Sequence, residues 1–93
     1  MNYRLVFTHS YTQRATRFIR RHPELLNQYG KVLRLLEQDP FHRALRLHKL
    51  KGRLKDLHAV SINIRYRVTL LILITEKEII PVGLGSHDEV YRY

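Results

Sequence analysis

Apolar residues recur at helical spacing in the first half of the chain. They lie three and four positions apart over residues 11–19 and again over residues 25–36, which predicts two amphipathic helices. Pro23 separates the two stripes, since proline disfavours helical geometry in the residue before it and suits the first turn of a new helix. Asp39 and Pro40 follow the second stripe. The pattern therefore predicts a hairpin of two helices with a very short connection.

Extended patterns lie on both sides of these helices. Residues 3–8 are rich in β-branched and aromatic side chains, residues 57–63 alternate, and residues 66–74 are apolar at nearly every position. A further run covers residues 78–85. Short connections between the last three runs predict an antiparallel meander whose middle strand is central and covered by the helices. Because Pro81 has no amide proton, its strand is expected at an edge or with a bulge at that residue.

The element order is thus β-α-α-β-β-β, an α+β fold with the helical hairpin packed on an antiparallel sheet. At 93 residues, the chain is expected to form a single domain over residues 1–93. Ser10, followed by Gln13 three residues later, predicts a capping box at the start of the first helix. These expectations come from periodicity and turn chemistry alone.

The charge balance narrows the classes of partner. The sequence has 17 Lys and Arg against 8 Asp and Glu, a net charge of +9, which attracts nucleic acid, acidic membrane surfaces or acidic proteins. There is no cysteine, so disulfides, thiolate nucleophiles and Cys-based zinc sites are excluded. The N-terminal residues lack the apolar segment of a signal peptide, and no apolar run is long enough to span a bilayer. A cytoplasmic protein without membrane attachment is expected.

A basic segment over residues 45–55, LRLHKLKGRLK, contains no acid. It has two interpretations. It is either a solvated loop whose leucines attach it to the core, or a phosphate-binding rim in which Gly52 allows a turn of the backbone. In the second interpretation the cations hold RNA phosphates: Arg46, Lys49, Lys51, Arg53 and Lys55.

The C-terminal stretch GLGSHDEVYRY offers a second candidate site. His87 follows the last predicted strand and is either packed against an acidic neighbour or able to transfer a proton near neutral pH. Tyr91 could stack on a base. Arg65 and Arg67 flank Tyr66 on a predicted strand, so alternation places both arginines on one face. They are either solvated charges or guanidinium groups directed at a phosphate.

The six histidines raise the question of a metal site. No pair is spaced four residues apart on a predicted helix, and there is no H-E-x-x-H motif. A site assembled from His42, His48, His58 and His87 is therefore disfavoured. No metal, cofactor or small-molecule ligand is expected.

Three short motifs together resemble the RelE/ParE superfamily of type II toxins, and within it the YafQ-like mRNA interferases. They are HKLKG over residues 48–52, INIRYRV over residues 62–68, and GSHDEV over residues 85–90 with Tyr91 beyond it. The resemblance covers essentially the whole chain. It implies a RelE-like fold with a twisted sheet and ribosome-dependent cleavage of translated mRNA.

The resemblance also implies residue roles. His87 corresponds to the catalytic histidine, Arg67 to the arginine that stabilises the transferring phosphate, and His48 to the histidine of the H-x-L-x-G motif. Tyr91 corresponds to the aromatic residue that stacks on an mRNA base. The sequence departs from the YafQ pattern where Ser61 replaces a second strand histidine and Arg65 replaces an aspartate. These departures favour a more basic, RelE-like site in which Arg65 or Lys51 assists at the phosphate.

The implied partners are an acidic antitoxin, mRNA in the ribosomal A site, and rRNA, with a toxin–antitoxin hetero-oligomer as the assembled form. Two alternatives remain open from the sequence. A ParE-like inhibitor of DNA gyrase would have the same fold without needing His87, His48 and Arg67 in one cleft. A non-catalytic RNA- or ribosome-binding protein would need only the positive charge.

Overall fold

The computed structural model describes residues 2–90. Two long helices and a small sheet make up most of it, with a single turn of helix at the C-terminal side. The helices and strands, in chain order, are β1 (Arg4–Leu5), α1 (His9–Arg21), α2 (Leu26–Gln38), β2 (His48–Lys49), β3 (His58–Ser61), β4 (Tyr66–Leu73), β5 (Glu78–Ser86) and α3 (His87–Val90). The predicted α+β element order and helical hairpin are confirmed; a single 3-10 turn over Pro23–Leu25 joins the two helices.

The sheet has five strands in the order β1-β5-β4-β3-β2. Strands β3, β4 and β5 form the predicted antiparallel meander. Two features differ from the expectation of an all-antiparallel sheet. Strand β1 is only two residues long and pairs with β5 in parallel, because α1 and α2 intervene before the chain returns to the sheet. The basic segment supplies an additional edge strand, β2.

The strand that contains Pro81 carries the predicted bulge. Thr69 of β4 pairs with Gly83, whereas the next residue, Leu70, pairs with Pro81. Val82 is therefore the extra residue, and its carbonyl accepts a hydrogen bond from the Arg14 guanidinium at 2.9 Å. Pro81 thus lies immediately beside the irregularity in the β4–β5 ladder, a position where proline is tolerated in a strand.

The start of α1 differs from the predicted capping box. Thr8, in an extended conformation, is the N-cap, and its hydroxyl accepts a hydrogen bond from the amide of Tyr11 at 3.1 Å. Ser10 and Gln13 lie inside the helix. Both Thr8 and Ser10 are good capping residues, so the choice between them depends on where Tyr11 packs in the core.

The core lies between the two long helices and one face of the sheet. The Tyr11 hydroxyl is 2.8 Å from that of Tyr29 on α2, and burial raises the pKa of both phenols. Val68 and Leu70 of β4 are fully buried in the same cluster. Leu26, predicted as part of the apolar stripe of α2, is 55% exposed instead. No helix within residues 2–90 combines the length and apolar character of a membrane span.

Candidate functional site

Arg67 lies on the central strand β4, on the face of the sheet away from the helices. Its neighbours in the ladder are Ser61 of β3 and Gly85 of β5. Tyr66 packs edge-on against Phe18 of α1, with ring centroids 5.3 Å apart. Because successive side chains of a strand point to opposite faces, Arg67 and Ser61 face away from α1.

A cleft of about 270 Å³ lies beside Arg67. It brings together three of the residues predicted from the sequence, although they come from three separate segments. Its lining consists of Ala44, Arg46, Ser61, Ile62, Asn63, Ile64 and Arg67. Two arginines and one hydroxyl thus share a small concave surface, an arrangement that suits a phosphate group.

The Arg67 guanidinium is only partly satisfied by protein groups. One terminal nitrogen, Nη1, donates to the carbonyl of Ile64 at 3.2 Å. The Nε atom is buried and has no hydrogen-bond partner among residues 2–90. A buried donor without a partner costs ~1–3 kcal/mol. The Arg67 side chain therefore retains hydrogen-bonding capacity that the described residues do not use.

The turn between β3 and β4 forms one wall of the cleft. The Asn63 side-chain oxygen accepts hydrogen bonds from the amides of Arg65, at 2.9 Å, and Tyr66, at 2.8 Å. Ile64, at the tip of this turn, is 93% exposed. Sequence reasoning missed Asn63, although asparagine between two strands is a recognised turn signal because its side chain can bond the backbone two residues on.

Arg65 differs from its prediction. It lies in the turn before β4, so strand alternation does not apply to it. Its guanidinium carbon lies 5.5 Å from the centroid of the Tyr66 ring, in cation–π range. Arg65 and Arg67 therefore do not lie on one strand face as predicted.

His48 lies on the edge strand β2 and pairs with Ala59, which in turn pairs with Thr69. This row of the ladder adjoins the row of Ser61 and Arg67, on the same face of the sheet. Strands β2 and β4 are separated by one intervening strand, or roughly 10 Å. The His48 Nδ1 atom is 3.0 Å from the carbonyl of Arg46. Since a carbonyl only accepts, this bond requires a proton on Nδ1.

His58 points to the opposite face. Its ladder neighbours are Lys49 and the core residue Leu70, and its Nδ1 atom is buried without a hydrogen-bond partner among the described residues. Burial is the main cause that lowers the pKa of His58. The nearby charge of Lys49 lowers it further, and that of His48 contributes less. Across residues 2–90, no three histidine or acidic side chains come close enough to hold a metal ion.

His87 is the first residue of α3 and directly follows Ser86, which pairs with Tyr66. It therefore lies at the same end of the sheet as Arg67, with the two backbones on the order of 8 Å apart by strand geometry. Its side chain is 64% exposed, and its Nδ1 is 3.7 Å from the Asp88 carboxylate.

A reciprocal capping box fixes the start of α3. The Ser86 amide donates to the Glu89 carboxylate at 2.8 Å, and the Glu89 amide donates to the Ser86 hydroxyl at 3.3 Å. These bonds, followed by the charges of Arg21 and His22, lower the pKa of Glu89. The S-H-D-E sequence carries the S-x-x-E signature of this motif, so α3, which sequence reasoning missed, had a readable signal.

Gly85 makes room for this capping box. Its φ of +154° is rarely adopted by residues with a side chain, and an added Cβ would lie 3.1 Å from the Glu89 side chain. Two separate constraints therefore favour glycine immediately before Ser86 and His87.

The leucines of the basic segment attach it to the core, as its first interpretation expects, and its phosphate-binding interpretation stays a prediction. Leu45 and Leu50 are 1% and 4% exposed and attach the segment to the rest of the fold. The cations around them face solvent. Gly52 has a φ of +68°, which agrees with its predicted role in a turn.

The predicted residues thus divide into three groups. Arg46, Ser61 and Arg67 line one cleft, and His48 lies on the same sheet face, whereas Lys49 pairs with His58 on the opposite face. His87 begins α3 at that end of the sheet. The remaining cations, Lys51, Arg53 and Lys55, are exposed around the 3-10 turn after β2 and do not line the cleft. Tyr91 lies outside the described residues.

No protein-family model matches the sequence, and no curated protein matches it significantly. Solved structures, in contrast, match nearly the whole chain. The crystal structure of YafQ from E. coli strain BL21(DE3) has a TM-score of 0.77 at 10% identity, covering 96% of this chain and 98% of that one.

Two further structures extend the comparison. A YoeB/ParE toxin from Agrobacterium tumefaciens has a TM-score of 0.72 at 17% identity, covering 90% of this chain and 98% of that one. The E. coli DinJ–YafQ toxin–antitoxin complex matches with a TM-score of 0.76 at 12% identity, covering 98% of this chain and 99% of that one. The chain therefore has the fold of these toxins, and the predicted RelE-like architecture is confirmed.

Proposed function

We propose that this protein is the toxin of a type II toxin–antitoxin pair and acts as a ribosome-dependent endoribonuclease on translated mRNA. Support comes from the fold that it shares with YafQ and with a YoeB/ParE toxin and from the net charge of +9. Since one fold serves several activities, the chemistry has to be argued from the cleft.

The observation that carries the proposal is the partly satisfied guanidinium of Arg67. Its buried Nε lacks a protein acceptor among residues 2–90, and the cleft beside it also contains Arg46 and Ser61. A pentacoordinate phosphorus carries more negative charge on its oxygens than the ground state does. Donors already directed at that position stabilise the transition state selectively.

The proposed reaction needs no external reactant. The ribose 2′-oxygen attacks the adjacent phosphorus, the new O2′–P bond forms, and the P–O5′ bond breaks. His48 accepts the proton of the 2′-hydroxyl, and His87 delivers a proton to the leaving 5′-oxygen. Arg67 holds the phosphate throughout. The products are a 2′,3′-cyclic phosphate and a 5′-hydroxyl end.

The remaining predicted residues are assigned to RNA binding. Lys49, Lys51, Arg53 and Lys55 would hold the mRNA and rRNA backbones, with Tyr91 stacking on a base. The proposed regulatory partner is an acidic antitoxin, and the proposed location is the cytoplasm. Antitoxin complexes of proteins with this fold, DinJ–YafQ among them, support that partner.

The test is induced expression of the wild type and His87→Ala, with transcriptome-wide mapping of new mRNA 5′ ends. Wild-type expression should arrest growth and produce 5′-hydroxyl ends inside translated frames. A positioned acid contributes about 10²–10⁴-fold, so His87→Ala should remove these ends while the protein stays folded. His9→Ala, which changes an exposed histidine on α1, is the matched control.

Other outcomes distinguish the alternatives. Growth arrest with DNA damage and without mRNA cleavage would identify a ParE-like gyrase inhibitor. Arrest that survives His87→Ala but is lost on charge reversal at Lys49 and Lys51 would identify a non-catalytic RNA- or ribosome-binding protein. Cleavage by the purified protein that is abolished by a metal chelator would contradict the proposed proton-transfer chemistry.

A further inference from the structure

A second basic cleft lies between α1, β5 and α3. Its volume is about 230 Å³, and it is lined by Arg14, Arg17, Phe18, Arg21, Leu84 and Glu89. None of these residues contacts the RNA in the proposed cleavage reaction. Phe18 and Leu84 are each only 8% exposed, so the charged side chains surround a small apolar floor. This feature is called the α1–α3 cleft below.

The three arginines share this cleft because of their spacing along α1. They are three, four and seven residues apart, which places them on one side of the helix. Arg14 is half-buried, and its guanidinium donates to the Val82 carbonyl at 2.9 Å. This bond fixes Arg14 beside the bulge of β5. Arg17 and Arg21 are exposed, so the cleft combines one guanidinium held by the sheet with two that face solvent.

The carboxylate in the cleft, Glu89, already has a structural role. It accepts a hydrogen bond from the Ser86 amide at 2.8 Å, as part of the capping box that begins α3. The hydrogen bonds with Ser86 are the main cause that lowers the pKa of Glu89, and the charge of Arg21 also contributes. Three guanidinium groups and one carboxylate line the cleft. Two positive charges are therefore in excess.

This excess of charge suits a doubly charged anion. A phosphate monoester carries about −1.5 to −2 charges at neutral pH, and its oxygens accept paired N–H groups from a guanidinium. A carboxylate carries only one charge. The volume of the cleft is below the roughly 300–1,000 Å³ of pockets that enclose drug-sized ligands. The cleft would therefore hold the phosphate group and leave the rest of the ligand outside.

We propose that the α1–α3 cleft binds the phosphate group of a phosphate monoester and that this binding controls the start of α3. The phosphate lies against Arg17 and Arg21 and shares the cleft with the Glu89 carboxylate. Because like charges repel at short range, the bound phosphate weakens the hydrogen bond from the Ser86 amide to Glu89. His87 is the first residue of α3, so a weaker cap leaves it less firmly positioned. The effect on cleavage rests on the proposed function, whereas phosphate binding does not.

Two other interpretations of the cleft explain less. A row of solvated arginines would require neither a concave surface nor the hydrogen bond from Arg14 to the bulge of β5. A phosphodiester of an RNA backbone carries a single charge, so it would leave one positive charge in excess. A free nucleotide and the 5′-phosphate end of an RNA both provide the monoester that balances the cleft.

The test is an NMR titration of the full-length protein with inorganic phosphate at constant ionic strength. The Nε–Hε signals of Arg14, Arg17 and Arg21 should shift and reach saturation. Acetate, a monoanion, should bind at least about tenfold more weakly than phosphate. Because phosphate can also bind beside Arg67, the titration is repeated with Arg67→Met, in which the shifts of the three arginine signals should persist.

Paired variants locate the binding site. Arg17→Gln with Arg21→Gln should weaken phosphate binding at least about tenfold. Lys31→Gln with Arg34→Gln, an equal charge change on α2, should weaken it less than about threefold, because exposed charges at a distance are screened by salt.

Substitution of Glu89 should have the opposite effect on affinity. Glu89→Gln removes the negative charge but keeps a side chain that completes a capping box, so phosphate should bind at least about threefold more tightly. Glu76→Gln, at an exposed acid between β4 and β5, changes the net charge equally and should alter the affinity less than about twofold.

Hydrogen exchange and cleavage measure the coupling to α3. Phosphate should accelerate hydrogen exchange of the Ser86 amide in the wild type but not in Arg17→Gln with Arg21→Gln. It should also slow mRNA cleavage on translating ribosomes at least about threefold, and the double variant should lose this inhibition. Inhibition that persists in the double variant would place the inhibiting phosphate at another site and overturn the control of α3.

Two ligands distinguish the sources of the phosphate group. Uridine 5′-monophosphate represents a free nucleotide, and a 5′-phosphorylated RNA trinucleotide represents an RNA end. Both should require Arg17 and Arg21 for binding, whereas uridine, which has no phosphate, should not bind the cleft. The ligand that binds more tightly identifies the source.

Four results would overturn the inference: unchanged arginine signals at high phosphate, equal affinities for phosphate and acetate, equal effects of the two double variants, or equal effects of Glu89→Gln and Glu76→Gln. The nuclease proposal fails separately. Phosphate binding by a wild-type protein that cleaves no mRNA would refute the nuclease alone, and cleavage without phosphate binding in the α1–α3 cleft would refute the phosphate site alone.

Discussion

Arg67 is placed on a central strand, where an apolar side chain of similar size could fill the same space. Its Nε is buried without a hydrogen-bond partner among residues 2–90, and its one hydrogen bond to the protein in that range is to the Ile64 carbonyl. Residues kept for function often reduce stability in this way. A substitution of Arg67 should therefore change mRNA cleavage without lowering the free energy of unfolding.

We predict that Arg67→Met abolishes mRNA cleavage while the free energy of unfolding stays within about 1 kcal/mol of wild type or rises. The reason is that methionine keeps the apolar stem but removes the unsatisfied donor. Denaturant unfolding and in vitro cleavage on translating ribosomes measure the two effects. Leu70→Ala, at a fully buried neighbour on β4, should instead lose about 2–5 kcal/mol. A comparable loss in Arg67→Met would show that the arginine is structural.

His58 is expected to make the free energy of unfolding depend on pH. Its folded-state pKa is lowered by burial and by Lys49 and His48, so the unfolded chain binds a proton more readily than the folded one. The free energy of unfolding is therefore undiminished by His58 above the ordinary histidine pKa of about 6.5. It decreases as the pH falls through and below that value.

We predict that the free energy of unfolding falls between about pH 7 and pH 5, and that His58→Gln makes it less dependent on pH. Urea unfolding at both pH values measures this. His9→Gln removes an exposed histidine and should keep the wild-type dependence. An unchanged dependence in His58→Gln would place the linked proton elsewhere.

At the scale of elements, periodicity predicted the long helices and strands but missed two short elements, β2 and α3. The helical stripes and the three strands of the meander were predicted because their repeats extend over enough residues to be recognised. Strand β2, with only His48 and Lys49, and the single turn of α3 are too short to show a period. The S-x-x-E sequence beginning at Ser86 is a capping signal that could have revealed α3.

The capping box of α3 should control where His87 lies. We predict that Glu89→Ala lowers cleavage, whereas Glu89→Gln largely preserves it, because glutamine also completes a capping box. A cap loss of ~1 kcal/mol corresponds to about a fivefold change in the population of the ordered turn. Cleavage rates and hydrogen exchange of the Ser86 amide would be measured together.

Glu76→Ala, at an exposed acid between β4 and β5, is the control for lost charge. Gly85→Ala should act in the same direction as Glu89→Ala, since it strains the backbone and crowds the Glu89 side chain. If Glu89→Gln were as inactive as Glu89→Ala, the carboxylate charge and not the capping box would be responsible.

At the scale of the whole molecule, positive charge is distributed over several surfaces: the cleft rim, the exposed turn after β2 and the outer side of α1. Binding to RNA should therefore be strongly salt-dependent. We predict that log affinity for a single-stranded RNA falls by roughly 0.7 log unit per log unit of salt for each phosphate contact. Titration at several salt concentrations measures the slope.

The double variant Lys49→Ala with Lys51→Ala should reduce that slope by an amount equivalent to up to about two phosphate contacts. Lys31→Ala with Arg34→Ala on α2 should leave it nearly unchanged. Equal reductions by both pairs would indicate that RNA binds the molecule without a preferred surface.

The sequence alone determined the order of the two long helices and the three strands of the meander, the choice between an edge and a bulge at Pro81, and the excess of positive charge. These depend on residues close together along the chain, where periodicity and turn chemistry act directly. It also identified Arg67, Ser61 and Arg46 as candidates, but not as neighbours.

Only the tertiary structure decided which of those residues meet. The addition of β2 at the edge and the register of β3 on β4 bring Arg46, Ser61 and Arg67 into one cleft. The tertiary structure also placed Arg65 over the Tyr66 ring instead of beside Arg67. The reason is physical: strand register and the burial of distant side chains are set by packing across the whole sheet, and a short stretch of sequence contains only one side of each contact.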